Sequence, residues 1–369
     1  MDFMKKIKNN FLFLGLFVCA AACTNNIPKE PTFIHFTLDT IKTERLPDKY
    51  TRESGRLTFQ PFRSSNVYYF HSETNHLTIF DIDDLSLKDH LEVALNLDES
   101  AEIQGLFVDE KQRKIYFLVD FESIFIFDFN GALTGYFTIN NENPIHFHAC
   151  VLSTEGFIPT LLNNTWYFNA YPEIENGYKD SLFYQESIEL AFDMETNSKT
   201  ILNTSYPDNY KRHLMGFRYT PDRFVINNNT LAYAFPYNDS IFLFDIDKNE
   251  VTGSQFFGSI TEKEIQYIPF GSLDSLHHST LSELSQANPA YALSGYSTKQ
   301  QLYYRAIIRE DQSDGYDAYF ILYDDNLQYL GESENTFSPG RIHDSKLGLI
   351  SIVSDSTHIY FRKVNYEMD

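Results

Sequence analysis

Three cysteines among 369 residues are too few to staple a chain of this length, so its stability has to come from a packed interior. Basic residues are also scarce. Against 51 Asp and Glu stand 29 Lys and Arg, and the resulting net charge of −22 repels phosphate backbones and anionic headgroups, which argues against nucleic acid as a partner. No G-x-S-x-G, Walker A, H-E-x-x-H or dinucleotide fingerprint occurs, so no motif points to a nucleophilic enzyme. The chain is rich instead in aromatic side chains, 33 Phe and 25 Tyr, each stabilising by about 1.5–3 kcal/mol when buried.

The N-terminus reads MDFMKKIKNN and then FLFLGLFVCAAAC. A lysine-bearing head, an apolar stretch of roughly ten residues and a small-residue tract make a secretory signal that is too short for a permanent membrane span. Ala20-Ala21-Ala22-Cys23 has the form of a lipobox, with the Cys23 thiol as the lipid acceptor. The expected organisation is a signal peptide over 1–22, a polar tether with two prolines over 23–31, and one domain over 32–369. Losing the signal takes the net charge to about −24 and leaves Cys150 without an internal disulfide partner. No aspartate follows Cys23 at once, which favours the outer membrane, facing the periplasm or the cell surface.

One kind of string recurs along the chain: HLTIFDIDDLSL (76–87), SIFIFDFNGAL (123–133), SIELAFDMETNS (187–198), SIFLFDIDKNE (240–250) and AYFILYDDNLQ (318–328). Each is an extended apolar run, an aromatic, and then Asp81, Asp128, Asp193, Asp245 or Asp324. Five equivalent aspartates cannot share one active site. Their place after a strand predicts turn residues whose carboxylates accept backbone N–H bonds. Around each string lie further short strands, for example GLFVD, KIYFLVD, SIFIFDF and LTGYFTI in the second unit. Four antiparallel strands recurring about every 40 residues or more predict propeller blades.

The third unit has three candidate strands, HFHACVL, GFIPTLL and TWYFNAY, for two places. Leu273, Leu276, Thr280, Leu281 and Leu284 have helical spacing and predict one short inserted helix, which also carries His277 and His278. The last unit runs out before a fourth strand, whereas TFIHFTLDTIKTERL (32–46) precedes the first unit as an orphan. The expected fold is therefore all-β, a six-bladed β-propeller of four-stranded antiparallel blades closed by this N-terminal strand completing the last blade. A seventh, degenerate blade inside an insertion is the alternative. The signal with Cys23, the length and the SIFLFDIDKNE-type strings together resemble the TolB-like six-bladed propeller lipoproteins of Gram-negative bacteria. That resemblance implies a fold and an envelope address but carries over no catalytic residue.

Two local clusters are candidate ligand sites. His146, His148 and Cys150 alternate along one strand and would share a face, and imidazole and thiolate both suit zinc or copper, but the sequence shows no fourth ligand and no metal is assigned. Lys211, Arg212, His213 and Arg218 form a basic cluster in an acidic chain, in the connection entering the fourth blade, and suit an anionic group such as a carboxylate or an acidic sugar. Glu310–Gly315 resembles a calcium loop but places Ile321 where the bidentate Glu belongs, so it reads as a hairpin. The functional expectation is a lipid-tethered, monomeric binding or scaffold module for an envelope protein, peptide or glycan, needing no cofactor. It would touch the membrane through the lipid alone. The alternative is a propeller-type hydrolase or lactonase holding a calcium ion in its central channel by acids such as Glu102, Asp222 or Asp344.

Overall fold

The computed structural model describes residues 30–45, 55–59, 66–71, 75–94, 103–119, 123–138, 147–150, 160–172, 177–215, 220–260, 267–270, 288–311, 315–334, 341–354 and 358–368. Strand β1 (Phe33–Arg45) is followed by a first sheet of β2 (Gly55–Phe59), β3 (Asn66–His71), β4 (His76–Asp81) and β5 (Leu87–Glu92). A second contains β6 (Ile103–Asp109), β7 (Lys114–Val119), β8 (Ser123–Asp128) and β9 (Leu133–Thr138). In the third are β10 (Phe147–Cys150), β11 (Thr160–Leu162), β12 (Thr165–Pro172), β13 (Glu189–Asp193) and β14 (Ser198–Ile201). After the two-residue β15 (His213–Leu214), the fourth sheet comprises β16 (Asp222–Asn227), β17 (Thr230–Ala234), β18 (Ser240–Asp245) and β19 (Glu250–Phe256). The short β20 (Ile268–Pro269) precedes an eight-stranded sheet. Its first half is β21 (Ala290–Ser297), β22 (Leu302–Asp311), β23 (Gly315–Asp324) and β24 (Tyr329–Ser333). Its second half is β25 (Arg341–Ser345), β26 (Gly348–Ser354), β27 (His358–Met368) and β1.

The architecture is all-β, a propeller-like arrangement of small sheets. The N-terminal strand does join the C-terminal ones: β1 runs antiparallel to β27 from Ile34↔Met368 to Arg45↔His358. The halves of the large sheet meet where β1 touches β24 in parallel, at Phe33↔Glu332 and Ile34↔Ser333. The ambiguity in the third unit has a physical answer. HFHACVL and GFIPTLL both pair with the same strand, β10 against Asn169–Pro172 and β11 against Thr165–Tyr167, so they lie end to end in one place. The helical stretch expected at 273–284 lies outside the described residues; the one α-helix among those described is Asp208–Arg212, which the periodicity did not mark.

All five marker aspartates are turn residues. Asp81 Oδ1 accepts the Asp83 N–H at 2.7 Å, Asp193 that of Glu195 at 2.8 Å, and Asp245 that of Lys248 at 3.0 Å. Asp128 accepts from Asn130 and Ala132, and Asp324 from Asn326 and Gln328. These bonds favour the charged carboxylate and hold the Asp128 pKa below its ordinary value, led by the Ala132 N–H. In four units a register shift falls at the aromatic just before the aspartate, at Phe80, Phe127, Phe244 and Tyr323. Such a bulge adds twist and blunts the exposed outer strand.

The second strand of each sheet is buried on both faces, so alternate residues serve different neighbours. Tyr68 and Phe70 pack on Ile115 and Phe117 of the second sheet, while Val67 and Tyr69 join Ile350, Ile352 and Phe361. Tyr116 and Leu118 meet Trp166 and Phe168; Tyr167 and Ala191 meet Val225 and Tyr233. Phe224 and Ala232 meet Tyr303 and Ile321; Ala306 and Phe320 meet Leu349, Val364 and Ile34. The core is thus a series of clusters between consecutive sheets, with the last sheet packed on the first.

Candidate functional site

In a meander of four strands, the connection leaving each outer strand for the next sheet lies on the same face as the hairpin between the second and third strands. The aspartate turns occupy the opposite face. On the connection face, the segments entering the fourth and fifth sheets pair with each other, His213↔Pro269 and Leu214↔Ile268. The helix Asp208–Arg212 that delivers His213 starts after Pro207, whose fixed φ of −61° suits a helix entry. It is anchored at its base. Buried Tyr210 accepts the Tyr237 N–H at 2.9 Å through its hydroxyl, and the Asn209 amide donates to the Tyr237 carbonyl at 2.6 Å. Asn238 Nδ2 in turn donates to Asn209 Oδ1 at 3.0 Å. Tyr184, Tyr206, Tyr210 and Phe235 form an aromatic bed beneath, with ring centroids 4.9 Å apart for Tyr184–Tyr206 and 5.3 Å for Tyr210–Phe235. Edge and offset contacts at these distances fix ring orientation as well as burying area.

The rim on this bed joins three of the four predicted basic residues. His213 Nδ1 lies 3.1 Å from the Asn209 carbonyl oxygen. A carbonyl can only accept, so Nδ1 carries the proton and Nε2 is the nitrogen left to present. The imidazole stacks on Tyr267, centroids 4.9 Å apart and planes 27° from parallel. Tyr267 remains 40% exposed. Partial burial raises its pKa, countered by a bond to the Asn209 side chain. Lys211 lies 4.0 Å from Asp208 within the helix, whereas Arg212 is exposed and makes no ion pair among the described residues. Arg218 and His146 lie outside the described residues, and His148 sits on β10 opposite Tyr171.

Buried polar groups lock the sheets under this rim. Arg305 on β22 is fully buried; it donates to the carbonyls of Phe235 at 2.6 Å, Phe257 at 2.6 Å and Asn238 at 3.0 Å, and lies 3.7 Å over the Tyr291 ring. It thereby holds the Phe235–Asn238 loop that holds the helix. Arg223 on β16 reaches into the third sheet, pairing with buried Glu189 and pointing at Asn169 and Thr160. Burial pushes the Glu189 carboxyl up to about 7 although Arg223 and Tyr233 both favour its charge. Asp222, one residue earlier, faces the other way and accepts the Ser294 N–H at 2.9 Å. Its surroundings push it up to about 6, desolvation outweighing that bond.

Asp344, like Asp222, is occupied in joining sheets, accepting from Ser297 at 2.7 Å and from Thr298 and the Lys299 N–H at 2.9 Å. Glu102 lies outside the described residues. Among the described residues no three His, Cys, Asp or Glu side chains converge as a metal would require. Sequence reasoning missed Tyr267, Asn209 and Arg305. For Arg305 a signal existed, a lone cation in the apolar run QLYYRAII.

No protein-family model and no curated protein matches the chain. Among solved structures it is similar to a member of the DUF4221 family from Bacteroides vulgatus, with a TM-score of 0.67 and 13% identity over 91% of this chain and 99% of that one. It is also similar to a candidate exported protein from Bacteroides fragilis, with a TM-score of 0.51 and 9% identity over 92% and 98% of the two chains. At these identities the likeness concerns the fold alone, a propeller-like arrangement.

Proposed function

We propose that the protein is a lipid-tethered binding module of the cell envelope, built as a six-bladed propeller of the TolB-like kind, whose connection face receives a protein, peptide or glycan. The six-blade reading is supported by the division of the eight-stranded sheet into two four-stranded halves joined at only two residue pairs. Lipidation at Cys23 and an outer-membrane address rest on the N-terminal sequence, with residues 1–22 as the signal and 23–31 as the tether. The chain acts as a monomer and needs no cofactor.

The observation that carries the binding reading is the pairing of two inter-sheet connections into one rim, with His213 stacked on an exposed Tyr267 over a packed aromatic bed. Connections that merely link sheets have no need to be built and held in this way, and a rigid platform spares a ligand the cost of ordering the loops it meets. The experiment is an array of envelope glycans and peptides probed with the wild-type protein and a Lys211→Ala/Arg212→Ala/His213→Ala variant. Signals that disappear in a variant of unchanged melting temperature support the reading. Identical signals from both proteins sink it.

A further inference from the structure

The rim selects for one class of ligand. Resting on the binding reading above, we infer that it takes a short glycan bearing an isolated carboxylate, with the sugar ring on Tyr267 and the carboxylate between Arg212 and His213. Three observations converge on this. Tyr267 is a large aromatic left 40% exposed, yet its ring is fixed from behind by the imidazole 4.9 Å away, so a flat apolar surface is held in place and open to a ligand. A pyranose offers a matching apolar face and a hydroxylated edge, and amphipathic rings suit such half-wet contacts.

The second observation is the donor set. Because His213 Nδ1 is committed to the Asn209 carbonyl, Nε2 is the ring nitrogen left for a ligand, and the imidazolium form donates from it. Arg212, adjacent in the chain, is exposed and has no carboxylate partner among the described residues, while Lys211 has Asp208. A planar guanidinium and an imidazolium suit a planar carboxylate, which accepts two parallel bonds.

The third is the field around the site. With a net charge of −22, a polyanion must bring many of its charges within the Debye length of the acidic surface, about 8 Å at physiological salt, whereas a single carboxylate held between Arg212 and His213 gains at contact while the rest of its ligand is neutral. Nucleic acids, polyphosphates and densely sulfated chains are therefore disfavoured, and a sparsely charged sugar is favoured.

The test is calorimetric titration of the full-length protein with digalacturonate, its dimethyl ester and inorganic phosphate at pH 6 and moderate salt. Digalacturonate should bind at least tenfold more tightly than the ester. Tyr267→Ala and Arg212→Gln should each weaken it fivefold or more, while Tyr267→Phe retains binding and all variants keep the wild-type melting temperature. Equal affinity for acid and ester, lost in Tyr267→Ala, overturns the carboxylate while leaving the rim as a binding face. Phosphate binding as tight as digalacturonate overturns the sugar. No binding, or binding indifferent to Tyr267 and Arg212, overturns the inference outright; array ligands lost with the triple variant would then still support the broader reading.

Discussion

Replacing Arg305 by Met keeps most of the side chain's volume and removes its charge and donors. In the wild type, the buried carbonyls of Phe235 and Phe257 and the part-buried carbonyl of Asn238 accept from this guanidinium, and the Tyr291 ring stacks against it. A buried polar atom deprived of its partner costs about 1–3 kcal/mol. Two such losses would total about 2–6 kcal/mol, but Met also avoids burying a cation, and the loop can shift to readmit water. The expected loss for Arg305→Met is therefore about 2–4 kcal/mol. Arg305→Lys should fall between, because a single ammonium cannot span carbonyls donated by two separate segments. The assay is urea unfolding followed by intrinsic fluorescence, with Trp166 as reporter. A loss below about 1 kcal/mol for Arg305→Met would refute the claim that this side chain holds the Phe235–Asn238 loop. The same variant should also weaken any ligand bound at the rim, since the helix carrying His213 rests on that loop.

Acidity offers a second test. Glu189 and Asp222 have folded-state pKa values near 7 and 6, above their ordinary values of 4.5 and 3.8. The folded chain therefore binds these protons more tightly than the unfolded one, and their contribution is fully present below the ordinary values of 4.5 and 3.8 and is lost as pH rises through about 7 for Glu189 and about 6 for Asp222. Each group contributes a slope of at most about 1.4 kcal/mol per pH unit, and Glu189→Gln and Asp222→Asn should each flatten the stability profile between pH 4.5 and 7. Unchanged slopes in both variants would contradict this assignment. The lowered aspartates act in the opposite sense and lower down: Asp83, at about 2, is held there by Lys299 and Lys346 against its own desolvation, so its contribution is lost as pH falls below about 4. Gly131→Ala should lower stability by more than about 1–2 kcal/mol in the same urea assay, because Gly131 has φ +78° and an added Cβ would stand 1.9 Å from the Glu92 carbonyl oxygen. A neutral result would mean that the contact between the first two sheets yields more easily than its geometry implies.

The features legible in the sequence were those whose cause is local. An Asp at a strand end, with a polar or small residue two places on, makes its own turn through bonds to the next few N–H groups, so Asp81, Asp128, Asp193, Asp245 and Asp324 announce it wherever they stand. Strands such as NVYYFH are apolar on both faces because each is packed between two neighbours, a pattern that survives without knowing which neighbours. Glu189 and Arg223 are 34 positions apart, and neither residue's surroundings identify the other. The rim was half legible. Lys211, Arg212 and His213 stood out as charge, but Tyr267 reaches them only because β15 pairs with β20 across more than fifty residues. Strand β25 went unnoticed because RIHDS holds a single apolar residue among charged and polar ones.

Strand β1 finds its partners only at residues 332–333 and 358–368. A ribosome must deliver residues 332–368 before Ile34 and Phe36 can be covered, so nascent molecules carry an unpaired ribbon with two exposed apolar anchors until then. The other sheets, made earlier from neighbouring sequence, offer outer strands on which that ribbon could dock wrongly. Bulges beside the aspartate turns of the first, second and fourth sheets spoil those decoy edges, and quality control in the cell would meet its most vulnerable species in chains stalled before residues 332–368 emerge.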